Sequence, residues 1–221
     1  MEPTTATTTT PAPFGVDDPR HVFGRAVAVG TATVAAVRPD HLDGPTPCSE
    51  MDVRHLLGHL VAVLDRVAAL GRGEEPFAVV ESADDTDWPD AWAAAAHRVQ
   101  AAWTDDDVLA RPMALPWQQG TGADILLGYV NEVVVHTWDL AAATGQRPVW
   151  DDDVVTVALE RMPALPAADR LAMFEQISAE MGLPEVGVPF AEAVPVGADA
   201  AAIDQLVAWN GRDPRWEPTR G

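Results

Sequence analysis

The sequence contains no lysine. All 14 of its cationic side chains are arginines, set against 34 carboxylates for a formal net charge of −20. A nucleic-acid binder needs a basic stripe along the phosphates, and an anionic bilayer needs a polybasic segment. Neither is present, which argues against nucleic acid and membrane surfaces as partners. Cysteine is almost absent as well: Cys48 alone can form neither an intramolecular disulfide framework nor a cysteine-rich zinc module. No apolar run approaches the ~18–20 residues of a membrane span. The Thr/Pro/Ala-rich start, Met1 to Pro13, lacks the cationic head and apolar core of a secretory signal. It reads as a disordered tail over residues 1–15 on a cytoplasmic protein.

What is there is a 221-residue chain, 48% hydrophobic, which suffices for a buried core. Apolar residues recur at helical spacing from Asp18 to Val37, until Pro39 ends the pattern. Ser49 with Asp52 resembles a capping box. After it Leu56, Leu57, Leu60, Val63, Leu64, Val67 and Leu70 repeat at i, i+3, i+4, i+7, and Gly71 offers a stop. Trp88 to Trp103 forms an Ala-rich third helix with Pro89 in its first turn. Residues 105–120 read as connection, with a short extended piece around Arg111 to Leu115. Thr121 and Asp124 form a second capping pair for a helix through Ala143, closed by Gly145. Shorter helices are expected at Asp152–Met162, Ala167–Met181 and Asp199–Asn210. The reading is an all-α protein: a four-helix bundle over 16–148 and a helical C-terminal extension over 149–221 packed on it.

Candidates for chemistry are few. There is no phosphate-cradling glycine loop, nucleophile elbow or dinucleotide fingerprint. Cys48 precedes a helix start and suits packing at the helix entry better than reactivity. On the second helix His59 falls at the edge of the apolar stripe, with His55 one turn earlier and further toward solvent. On the fourth, Glu132 and His136 stand at i, i+4 beside Tyr129, with Asp139 on the same face. Two imidazoles and one carboxylate make a three-ligand set for a divalent metal with an open position. Zinc, iron, nickel and manganese all tolerate it. The same Glu/His spacing also occurs as an ordinary surface pair, and His55 with His59 is a rival i, i+4 pair. His21, His41 and His97 have no ligand-like spacing. Trp117, in the loop leading into the fourth helix, is a candidate wall for a substrate pocket, as is Tyr129.

At these residues the chain resembles a known family. Pro47-Cys-Ser-Glu-Met-Asp-Val-Arg-His-Leu-Leu-Gly-His59-Leu is similar to the second-helix signature of the mycothiol-dependent maleylpyruvate isomerase N-terminal domain family. Glu132-Val-Val-Val-His136-Thr-Trp-Asp-Leu-Ala-Ala-Ala-Thr-Gly-Gln resembles its fourth-helix signature. Leu206-Val-Ala-Trp-Asn-Gly-Arg212-Asp-Pro-Arg-Trp216 is similar to the end of an actinobacterial subgroup. The resemblance implies a DinB/YfiT-like four-helix bundle with a metal, most often zinc, on His59, Glu132 and His136, which selects His59 over His55. It also implies a low-molecular-weight thiol such as mycothiol at the open metal position. Dimers among the superfamily's members make a homodimer a partner to test.

The expected activity is a metal-dependent thiol transferase or isomerase acting on a small electrophile, the metal lowering the thiol's pKa. Asp139 would orient a histidine ligand from behind, with Arg54 as its cationic contact. Two alternatives stand beside this: metal-assisted hydrolysis on the same ligands, and a non-catalytic bundle that binds a metal or ligand.

Overall fold

The computed structural model describes residues 18–84, 87–161, 166–181 and 191–218; the tail expected over 1–15 lies outside them. Among the described residues the chain is helical apart from one small hairpin. The helices are α1 (Pro19–Ala35), α2 (Val53–Arg72), α3 (Trp88–Ala102), α4 (Asp106–Ala110), α5 (Gly122–Ala143), α6 (Asp152–Arg161), α7 (Arg170–Met181) and α8 (Ala202–Trp209). Four of them form the bundle. α1 packs on α3 and α5, and α2 on the same two, so α1 stands diagonally across from α2.

α2 shows how the sequence dictates its placement. Leu56, Leu57, Leu60, Val63, Leu64 and Val67 are buried, with at most 1% of each exposed, and they form the stripe that a 3.6-residue period aligns. The cap is Asp52 rather than Ser49: the Asp52 carboxylate accepts the His55 backbone N–H at 2.9 Å, which satisfies one of the helix's orphan donors. The helix also runs past Gly71, where a Cβ would lie 2.7 Å from Trp103 Nε1. It stops at Gly73, whose φ of 75° is the left-handed C-terminal conformation.

α5 is buried nearly all round, as expected of a helix that touches α1, α2, α6 and α8. Its start is the expected capping box: Thr121 Oγ1 accepts from Asp124 N, and Asp124 accepts from Thr121 N. Before it, residues 112–121 form an antiparallel hairpin, β1 (Pro112–Leu115) and β2 (Gln118–Thr121), with Leu115 opposite Gln118. The extended piece expected at 111–115 therefore has a partner strand. The sequence Gln-Gln-Gly-Thr carries no hydrophobic alternation to announce it.

The segment after the bundle packs back onto it. Val154, Val155 and Ala158 of α6 and Leu206 of α8 belong to the same buried cluster as the bundle's leucines. Trp138 and Ala142 of α5 meet Val207 of α8, with Trp216 against them. Buried Arg170 donates to the carbonyls of Pro166, Ala191 and Trp209, tying α7 to the chain beside α8.

Candidate metal centre

His59 projects from α2, and Glu132 and His136 project from α5. Their ligand atoms all lie within 4.8 Å of one another. Glu132 Oε1 is 3.3 Å from His59 Nε2 and 3.6 Å from His136 Nε2. Donors bonded at ~2.1 Å to a tetrahedral ion stand about 3.4 Å apart, so the residues present fit a divalent metal. The two rings meet edge to face, with centroids 4.6 Å apart. His55 is not part of this group: it is exposed and its Nδ1 pairs with Asp52 at 2.7 Å. The rival pair is thus resolved by which side of α2 faces α5.

Behind each histidine stands a carboxylate, and behind each carboxylate an arginine. His136 Nδ1 is 3.0 Å from Asp139 Oδ2, and Arg212 Nη2 donates to that same oxygen at 3.0 Å. His59 Nδ1 is 3.1 Å from Glu81 Oε1, and Arg66 Nη2 donates to Glu81 at 2.6 Å. A carboxylate on Nδ1 fixes the tautomer that leaves Nε2 as the free lone pair and raises its basicity. Arg212 is held in turn by the Asn210 carbonyl at 2.7 Å. The Asn210 and Asn131 side chains exchange hydrogen bonds at 3.0 and 3.2 Å, which links this support to α5.

The electrostatics follow from the pairing. Burial opposes charge on His59, but Glu132 and Glu81 outweigh it and hold the ring's pKa up at about 9. His59 draws Glu81 down to about 2, against burial and with help from Arg66. Burial would raise Glu132 and Asp139, yet their cationic and imidazole neighbours hold both well below the usual carboxylate range. Both carboxylates are therefore anionic, as a metal ligand and its outer partner must be. Burial pushes the Cys48 thiol up, with Arg212 opposing it, so Cys48 remains a neutral thiol.

One expected contact is made by another residue. The cation on Asp139 is Arg212, because Arg54 turns away to pair with Asp43 at 3.1 Å. Trp117 sits in the hairpin turn, 45% exposed, with its ring edge against Phe77. Tyr129 is buried and close enough to Glu132 to feel its charge. Glu81 and Arg66 had been missed. Glu81 reaches His59 because the chain after the turn at Pro76–Ala78 crosses α2 over Gly58, where a Cβ would stand 2.3 Å from the Ser82 carbonyl. Gly58, adjacent to His59, was the one available sign of that close approach.

Residues 23–141 match the family model described as the mycothiol maleylpyruvate isomerase N-terminal domain. The chain belongs to that family. Three of the centre's supporting groups, Arg66, Glu81 and Asp139, and all three candidate ligands fall inside the matched span; Arg212 lies beyond it. Two uncharacterized proteins of Mycobacterium tuberculosis, one from strain CDC 1551 / Oshkosh and one from strain ATCC 25618 / H37Rv, are similar to it. Each is 33% identical over 203 residues, covering 90% of this chain and 100% of its own. No solved structure matches. The all-α fold is consistent with this family's DinB-like bundle, and none of the described helices is long and apolar enough to cross a membrane.

Proposed function

We propose that this family member is a metal-dependent thiol transferase or isomerase that uses a mycothiol-type thiol on a small electrophilic substrate. The observation that carries the reading is the convergence of His59 Nε2, Glu132 Oε1 and His136 Nε2, with a carboxylate behind each imidazole. Zinc is the first choice for these donors, and nickel, iron or manganese also suit them. When bound, such an ion supplies one thing: it lowers the pKa of a thiol at its open position, so that thiolate forms near neutral pH.

The protein's own residues do the rest. Glu81 and Asp139 hold the two rings by Nδ1 and aim both Nε2 atoms at one point. Glu132 contributes a single negative charge, so three ligands leave a divalent centre with net positive charge to attract an anion. His136 is buried, and the His59 and Glu132 side chains are only 14% and 20% exposed, which limits the access of bulk water to them. No protein nucleophile is required, in keeping with a single, neutral cysteine.

The test is metal content by plasma mass spectrometry on the wild-type chain beside His59→Ala and His136→Ala, then a thiol–electrophile assay with and without thiol. Near-stoichiometric metal lost in both variants, together with thiol-dependent turnover, supports the reading. Turnover without thiol replaces it with metal-assisted hydrolysis. Retained metal without turnover leaves a non-catalytic binding bundle, and a wild-type chain that takes up no metal overturns it.

A further inference from the structure

Two hydrogen-bonding side chains beside the metal centre have capacity that the fold does not use. The first is Tyr129, the chain's only tyrosine. It precedes Glu132 by three residues and His136 by seven, which places it on the ligand face of α5, one and two turns away. Its residue surface is 8% exposed, yet its hydroxyl takes no hydrogen-bond partner among the described residues. The ring is buried but the hydroxyl oxygen itself reaches solvent, so it is open to a ligand.

The second is Arg66, seven residues after His59 and so two turns along the same face of α2, about 10 Å by helical rise. A guanidinium carries five N–H donors. Its one hydrogen bond to a described residue runs from Nη2 to Glu81. Nε is buried without a partner, and Nη1 makes no hydrogen bond to a described residue either. Both stand on the faces of α2 and α5 that carry the candidate ligands. Burial and the Glu132 charge push the Tyr129 phenol up, while Arg66 pulls it down.

We propose that the Tyr129 hydroxyl and the Arg66 guanidinium form a donor pair that holds a carboxylate oxygen of the small molecule seated at the His59–Glu132–His136 centre. The pair makes Arg66 a residue of two tasks, bracing Glu81 through Nη2 and reading the ligand through Nη1. A fixed guanidinium with a phenol beside it suits a planar anion better than a neutral group. In a chain of net charge −20, a cation so placed also offsets the field that repels an anionic ligand. The inference rests on the metal reading above and adds what the site selects.

The test compares two thiols of nearly the same size, 3-mercaptopropionate and its neutral amide, on the cobalt(II)-loaded full chain. Binding is followed by thiolate-to-cobalt absorption. The wild-type chain is expected to bind the carboxylate at least about tenfold more tightly, the scale of one hydrogen bond to a charged group. Tyr129→Phe and Arg66→Met should each remove most of that ratio. Because the readout is a ratio, loosening Glu81 and His59 through Arg66 weakens both thiols alike and does not move it; Glu81→Gln, which should leave the ratio intact, checks this. Equal binding of the two thiols by the wild type overturns the donor pair. So does a preference that survives both substitutions, since the carboxylate would then sit on the metal itself. Absence of any thiolate–cobalt absorption in the wild-type chain overturns the proposed function, and this inference with it.

Discussion

Arg212 and Asp139, 73 residues apart in sequence, form a buried ion pair with Nη2 and Oδ2 at 3.0 Å, and Asp139 passes that constraint to His136 through a second 3.0 Å contact. Side-chain exposure is 4% for Arg212 and 0% for Asp139. Removing one partner of such a pair strands the other charge away from water, at a cost of about 3–5 kcal/mol. Arg212→Met should therefore lower stability by that amount in urea unfolding. It should also weaken metal binding by about 10–100-fold, the usual effect of losing an outer partner. Asp139→Asn combined with Arg212→Met should recover part of the stability but not the affinity. Full additivity of the two substitutions would show that the pair is not coupled.

The ligand set makes a sharper division. Glu132→Gln should reduce zinc occupancy as severely as His59→Ala, because the amide offers no negative charge to the ion. His55→Ala, four residues from His59 but exposed and paired to Asp52, should leave occupancy unchanged. Equal losses at His55 and His59, measured by equilibrium dialysis, would place the metal elsewhere on α2.

Gly58 is constrained by its neighbour. A Cβ there would stand 2.3 Å from the Ser82 carbonyl oxygen and 2.9 Å from its carbon, so Gly58→Ala must lift the strand of chain that carries Glu81. Overpacking of this kind costs about 1–3 kcal/mol. The expected result is a lower melting temperature together with weaker zinc binding, since His59 loses its Nδ1 partner. A variant that melts lower but binds zinc as tightly as wild type would separate Glu81 from the centre.

At the start of α5, Thr121→Ala removes the hydroxyl that accepts from Asp124 N. Loss of such a cap costs about 1 kcal/mol, or roughly 2–4 °C in a domain of this size. No change in metal affinity is expected, because the ligands begin nearly three turns further along. A calorimetric melt beside a zinc titration checks both halves.

Much of this was legible in the sequence where the signal is local. The stripe on α2 and the Thr121–Asp124 box on α5 are short-range patterns, and they fixed which faces of two helices meet. His59, Glu132 and His136 followed from those faces, with His59 chosen over His55 only by family resemblance. What was not legible depends on pairings between distant segments. Glu81 lies in a run, Val79-Val80-Glu81-Ser82, without periodicity, and its position is set by where the chain crosses Gly58. Arg54 was matched to Asp139 by helix arithmetic, which says which face a residue occupies but not which loop reaches it first; Asp43 does. Arg212 stood in a noted motif, but nothing in its spacing names a partner 73 residues earlier.

That separation has a consequence in time. A ribosome that has just added Asp139 has already made all three candidate ligands, but Arg212 is still 73 residues away. At ~5–20 residues per second, roughly 4–15 s of elongation pass before it is added. During that interval the nascent bundle holds a histidine backed by a carboxylate with no counterion. On the proposed metal reading, capture and release of an ion should both be quicker in that window than in the finished protein, until the arginine closes the support behind His136.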